Sequence, residues 1–125
     1  MIDLQPTICN LCGGEVEYIT NDKIYGKQYG SGWCYHCKQC NAYVGTNKLR
    51  PKEALGILAT EEMKSWKISC HKLFDKLWKE DGYKRGECYK WLADEMRIPV
   101  DECHFGYFDI PKLRQSYAIL KNKKP

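Results

Sequence analysis

At 125 residues the chain can form one compact domain or two small lobes, and it is too short for two large independent domains. A content of 43% hydrophobic and 13% aromatic residues excludes a disordered chain, while 20 basic against 16 acidic residues give a net charge of +4, which permits a nucleic-acid partner without requiring one. No apolar run approaches the roughly 20 residues that span a bilayer, so no membrane partner is expected; the N-terminus has neither the basic start nor the apolar stretch of a secretory signal, which predicts a cytoplasmic protein.

The first element is a tight turn, Cys9-Asn10-Leu11-Cys12-Gly13-Gly14. Glu15 to Thr20 then alternates with the period of a half-buried strand, and Asn21-Asp22 supplies turn chemistry. Lys23 to Tyr29 reads as the returning strand of a hairpin, Gly30-Ser31-Gly32 as a turn, and Trp33-Cys34-Tyr35 as a third strand that enters a second turn, Cys37-Lys38-Gln39-Cys40-Asn41. Asn41 to Gly45 is again strand-like. The polar, basic stretch from Thr46 to Lys52 then predicts a boundary between a ribbon lobe, residues 1–50, and a helical lobe, residues 51–125, packed together as one compact unit.

Thr60 with Glu61 and Glu62 has the character of a helix start, with negative charge at the positive end of the dipole. Met63, Trp66, Cys70, Leu73, Phe74, Leu77 and Trp78 follow at helical spacing, and Gly82 ends the run. A second helix beginning near Gly86 carries Tyr89, Leu92, Ala93 and Met96 and stops before Pro99. After an irregular stretch, Asp109 and Pro111 open a third helix with Leu113, Tyr117 and Leu120. The fold class expected is α+β: short antiparallel strands around a four-cysteine site, then three helices.

Eight cysteines could form disulfides only in an oxidising compartment, which the absent signal argues against. Two C-x-x-C turns instead suit zinc, each delivering two thiolates from one loop whose amides can also bond to the sulfurs. Cys9, Cys12, Cys37 and Cys40 are therefore the expected ligands of one structural Zn2+; four protein sulfurs leave no coordination position for water. Gly13 and Gly14 in the first turn and Asn41 in the second tolerate the left-handed backbone such a turn requires. Cys34-Tyr35-His36-Cys37 is an overlapping C-x-x-C. The better knuckle at Asn41, and the strand character of residues 33–35, favour Cys37 with Cys40.

Several stretches carry a family resemblance: Cys9-x-x-Cys12, Ile24-Tyr25-Gly26, Cys40-Asn41-Ala42-Tyr43-Val44-Gly45, Leu55-Gly56-x-Leu58-Ala59, His71-x-x-Phe74-Asp75-x-Leu77-Trp78 and Cys103-His104-x-Gly106-x-Phe108-Asp109. Together, from Cys9 to about Tyr117, they resemble phage and prophage proteins grouped as a zinc-finger-containing domain. The resemblance implies a bound metal and a bacterial host cytoplasm, and it implies no particular activity. Where that family often carries a Cys or His after Ala-Tyr-Val-Gly, this chain has Thr46 and Asn47.

Three functions compete. Lys48, Arg50 and Lys52, with Tyr25, Trp33 and further lysines and tyrosines of the ribbon, mix cations and aromatics as single-strand binding surfaces do, and a non-enzymatic nucleic-acid-binding protein is the leading expectation. Set against it is a core role for the aromatics and an ordinary solvated role for the lysines. The alternative is an accessory or inhibitory factor that binds a host protein. The third is a metal-dependent nuclease using His71, Asp75 and His104, of which the first two lie one helical turn apart; the same residues also suit plain packing. Cys70-His71, Cys88 and Cys103-His104 lack the knuckle spacing of a second metal site.

Overall fold

A computed structural model of the chain describes residues 2–125. It divides into two compact units, Met1–Glu61 and Glu62–Pro125, and is α+β as expected.

The first unit is built on three antiparallel strands, β1 (Val16–Thr20), β2 (Trp33–Cys37) and β3 (Tyr43–Gly45), in that spatial order. Val16 lies opposite Cys37 and Thr20 opposite Trp33, while Cys34 faces Gly45 on the other edge of β2. Because side chains alternate across a sheet, one face gathers Val16, Tyr18, Tyr35, Cys37 and Val44 into a small core with Cys9, Ala42, Ala54 and Leu58. The other face carries the cross-strand row Glu17, His36 and Tyr43, in which the Glu17 carboxylate lies 2.8 Å from His36 Nδ1.

The returning strand expected over Lys23 to Tyr29 is absent. Asp22–Tyr25 forms instead a single helical turn, α1, closed by Gly26 in the left-handed region at φ 81°. Asn21 explains the difference: its backbone N–H donates to the Gly32 carbonyl, and its side chain both donates to the Tyr29 carbonyl and accepts from the Tyr29 N–H. Those bonds fold residues 22–32 into a closed loop, so the strand that returns to β1 is β2.

Residues 51–61 belong to the first unit. Antiparallel bridges join Ala54 to Thr46 and Ala59 to Tyr43, and the Asn10 side chain grips Leu58, accepting from its N–H at 2.9 Å and donating to its carbonyl at 3.1 Å. The backbone after the basic stretch thus returns to the sheet edge and to the first cysteine turn.

The second unit holds the three expected helices, α2 (Glu61–Lys79, starting at the last residue of the first unit), α3 (Arg85–Met96) and α4 (Ile110–Asn122), with two 3-10 turns between the last two. Gly82 at φ 84° follows α2, and Arg97 takes the left-handed cap of α3 just before Pro99. The Asp109 carboxylate caps α4 by accepting from the Lys112 N–H at 3.1 Å. Phe74 joins α2 to α3 through Tyr89, with ring centroids 4.5 Å apart, and the Cys70 thiol joins α2 to α4 by donating to the Leu113 carbonyl at 3.5 Å.

The buried stripe of α2 is Met63, Cys70, Phe74 and Leu77, whereas Trp66 and Leu73 lie half-buried at its margin. Trp66 packs edge-on against Tyr117 of α4, leaving part of its indole at the surface. Phe74→Ala should therefore cost about 3–5 kcal/mol, the range for buried Phe truncation. Ile68→Ala, at a side chain 69% exposed, should stay within about 0.5 kcal/mol. Denaturant unfolding of the two variants checks the phase of the stripe.

Candidate metal centre and binding face

Both cysteine turns are closed by the same pair of backbone hydrogen bonds. In the first, the Cys9 N–H donates to the Gly14 carbonyl and the Gly13 N–H to the Cys9 carbonyl; in the second, the Cys37 N–H donates to Ala42 and the Asn41 N–H to Cys37. The fifth residue of each turn needs the left-handed backbone, and Gly13 (φ 75°) and Asn41 (φ 64°) supply it. Gly14 is required for a different reason: a Cβ there would stand 2.8 Å from Gln39 Cβ and 3.1 Å from Cys37 Sγ. The two knuckles can meet only because this position is bare.

The four thiols predicted as ligands converge, with every sulfur within 4.8 Å of the other three. Cys9 and Cys40 are 3.7 Å apart and Cys12 and Cys37 3.5 Å. A tetrahedron with metal–sulfur bonds of about 2.3 Å places its sulfurs about 3.8 Å apart, so the donor set fits one Zn2+ without rearrangement. Amide hydrogens already point at the sulfurs: Leu11 N–H at Cys9, Gly14 N–H at Cys12, and Gln39 and Cys40 N–H at Cys37, each at 3.4 Å. These bonds stabilise thiolate charge. The Cys40 amide, with that of Gln39, holds the Cys37 thiol down at about 6 against the opposing effect of burial. At Cys12 the Gly14 amide pulls downward, but burial and the neighbouring thiols outweigh it and push the group up to about 12. Four thiols this close cannot all ionise without a cation among them.

Cys34 lies outside the cluster. Its side chain, on the opposite face of β2 from Cys37, is buried, so the overlapping C-x-x-C contributes one ligand and one core residue. Among the described residues, no other group of three or more potential ligands converges. Cys70 bonds to Leu113 and Ser116, and burial raises the thiols of Cys70, Cys88 and, to about 11, Cys103.

The basic and aromatic candidates sit at the end of the sheet away from the thiols. Tyr25 and Trp33 are both exposed and, with Tyr29, line a groove of about 460 Å3 that Ser31, Thr46 and the exposed Leu55 also border. Lys48, Arg50 and Lys52 are exposed on the loop between Thr46 and Ala54, two residues paired across its base, so the loop rises from the rim of that groove. It is fixed in place: the Tyr18 and Tyr35 hydroxyls donate to the carbonyls of Pro51 and Lys52, and the Asn47 carboxamide accepts from the N–H groups of Leu49 and Arg50. Arg50 is paired with Glu53. Tyr35 and Tyr43, by contrast, are core residues.

The remaining candidates are in the second unit. His71 packs edge-on against Phe105 at 4.8 Å, and burial, outweighing the pull of Asp75, lowers its pKa. Asp75 accepts from Trp78 Nε1 at 3.0 Å and lies 3.9 Å from Lys79 Nζ; no hydrogen bond joins it to His71 among the described residues. His104 stands against Tyr107 and Tyr89. Arg85, not singled out in the sequence, bonds to the Tyr89 hydroxyl at 3.1 Å and lies over the rings of Tyr89 and Trp78. Its i, i+4 spacing to Tyr89 was the available signal.

A family model described as a zinc-finger-containing domain matches residues 5–123, and the chain belongs to that family. No curated protein and no solved structure matches it.

Elemental analysis should give about one zinc per chain. Cys34→Ser should keep it, whereas Cys40→Ser and Gly14→Ala should each weaken retention during titration with a chelator, the first by removing a ligand and the second by forcing the knuckles apart. Zinc lost from Cys34→Ser but kept in Cys40→Ser would reassign the second knuckle.

Proposed function

We propose that this zinc-binding member of the zinc-finger-containing domain family is a non-enzymatic protein that binds single-stranded nucleic acid through the face formed by the 47–53 loop and the ribbon aromatics. The carrying observation is a juxtaposition. Exposed Lys48, Arg50 and Lys52 stand on an anchored loop whose base is also the floor of a groove walled by exposed Tyr25, Tyr29 and Trp33. Cations beside a phosphate chain and rings beside its bases are the two requirements of sequence-tolerant single-strand binding. The zinc has no open position in this reading; it holds the ribbon that presents the face. The setting we propose, a phage or prophage protein in a bacterial cytoplasm, is supported by the sequence resemblance alone.

One observation favours the alternative, a host-protein partner for the second unit. Exposed Arg85 lies over the rings of half-buried Trp78 and Tyr89, and Trp, Tyr and Arg are the residues that dominate protein interfaces. A nuclease built on His71, Asp75 and His104 gains no comparable support, because the Asp75 carboxylate is held by Trp78 and Lys79 and the His104 ring by two tyrosines.

Replacing Lys48, Arg50 and Lys52 together by Glu should weaken binding to a single-stranded oligonucleotide at least about tenfold at low salt and flatten its dependence on salt concentration, with zinc content and melting temperature near wild type. Fluorescence anisotropy across a salt series measures both. Absence of any salt-dependent affinity in the wild type would leave the protein-partner reading in its place.

A further inference from the structure

A protein that merely attracts phosphate needs no preformed cavity, yet the groove beside the basic loop is rigidly made. Only three buried polar side chains are found among the described residues, Asn21, Thr46 and Ser116, and the first two line this groove at 5% and 4% exposure. Asn21 spends both ends of its carboxamide on the backbone of Tyr29, at 2.7 and 3.1 Å, and so fixes the loop that carries one aromatic wall. Thr46 Oγ1 lies 2.5 Å from Ser31 Oγ; both hydroxyls reach the Trp33 carbonyl, and Ser31 Oγ also accepts the Trp33 N–H, which fixes the other wall. Burying polar groups is costly unless they are fully bonded, and here the bonded networks set the positions of exposed rings.

The rings are arranged for a flat guest. Tyr18 covers one face of Trp33 in a parallel stack, 4.7 Å between centroids and 6° between planes, which holds the indole in place at the edge of the groove. Tyr25 and Tyr29 stand edge to face, 5.3 Å apart, and close the side. No carboxylate lines the cavity, and Lys27 Nζ lies 5.2 Å from the Tyr29 ring centre, which adds a cation beside one of its aromatic residues. The volume of about 460 Å3 is within the roughly 300–1,000 Å3 typical of small-molecule clefts and suits one planar heterocycle with its sugar, not a base pair.

Taking nucleic-acid binding as its premise, we infer that this groove is a receptor for one unpaired nucleobase, which stacks on the aromatic lining of Tyr25, Tyr29 and Trp33 beside the hydroxyls of Ser31 and Thr46, while its flanking phosphates lie toward Lys27 and the 47–53 loop. Such a site distinguishes single from double strands by requiring a base free of its partner. Its rigidity reduces the ordering cost of each encounter.

The test compares two single-stranded decamers of equal charge, one bearing bases and one an abasic deoxyribose phosphate chain. The wild type should bind the base-bearing decamer at least about fivefold more tightly, the lower end for a single base–aromatic stack. Tyr29→Ala, which removes an exposed ring, should reduce that ratio toward one while leaving the salt dependence and zinc content unchanged. Replacement of one base by 2-aminopurine in the wild-type complex gives a readout independent of any variant, since stacking on the rings of the groove should quench its emission. Equal, salt-sensitive binding of both decamers, or an unquenched probe, overturns the base receptor and leaves the broader nucleic-acid reading standing. Binding of neither decamer overturns both.

Discussion

The first unit depends on four sulfurs being held within one coordination sphere. Its apolar core consists of a handful of side chains, several of them Ala or Cys, and cannot by itself offset the entropy of ordering some sixty residues at about 1–2 kcal/mol each. A structural zinc contributes on the order of 10–16 kcal/mol to folding in comparable peptides. The zinc also fixes topology, because Cys9 and Cys12 precede β1 while Cys37 and Cys40 connect β2 to β3; one ion therefore ties both loops at the same end of the sheet. The bare position at Gly14 is what lets the two knuckles approach closely enough for that ion to be shared.

A metal-stapled lobe with so little interior cannot bury all its aromatic residues. Tyr35 and Tyr43 take the inner positions, Tyr18 lies half-covered, and Tyr25, Tyr29 and Trp33 are left outside, at the end of the sheet opposite the thiols. Exposed rings in a small protein would ordinarily collapse onto whatever surface they could reach. Here the buried carboxamide of Asn21 and the hydroxyls of Ser31 and Thr46 hold the backbone beneath them, so the rings border a cavity. The polar interior of this unit is thus spent on its surface, whereas in the second unit Ser116 and Cys70 bond to one another and to the Leu113 carbonyl and merely pack α2 against α4.

Features whose causes lie within a few residues were legible in the sequence. The cysteine spacing, the left-handed Asn41, the Asp109 cap and the stop at Gly82 each follow from local chemistry, and each is found. Features set by distant partners were not. Lys23 to Tyr29 has the composition of a strand and becomes a turn and loop because Asn21 reaches forward eight residues to Tyr29. The connector from Thr46 to Lys52 reads as the boundary of a helical lobe that begins at residue 51, whereas Asn10 of the first knuckle holds Leu58, and with it residues 51–61, at the ribbon. In α2 the helical period was evident but its phase was not: both Trp66 and Met63 fit the stripe, yet Met63 is buried while Trp66 lies half-buried against Tyr117 of α4. At the candidate site the cations and rings could be named from composition, yet the groove depends on Ser31 and Thr46, two ordinary polar residues fifteen positions apart.

Strand β2 connects the metal to the proposed binding face. Trp33 at one end lines the groove and Cys37 at the other ligates the metal, a separation of about 13 Å at 3.3 Å per residue. Their side chains share a face of the sheet, with Tyr35 between them and Tyr18 packed beside both Tyr35 and Trp33. The zinc thus lies away from the groove, and the packed rings of Tyr35, Tyr18 and Trp33 occupy the stretch between them. Loss of binding on removal of zinc would be expected of any ligand on this face and so identifies none. What identifies the ligand is a change that spares the metal: a reversed charge on the loop, or a missing ring on the wall, read at constant zinc content.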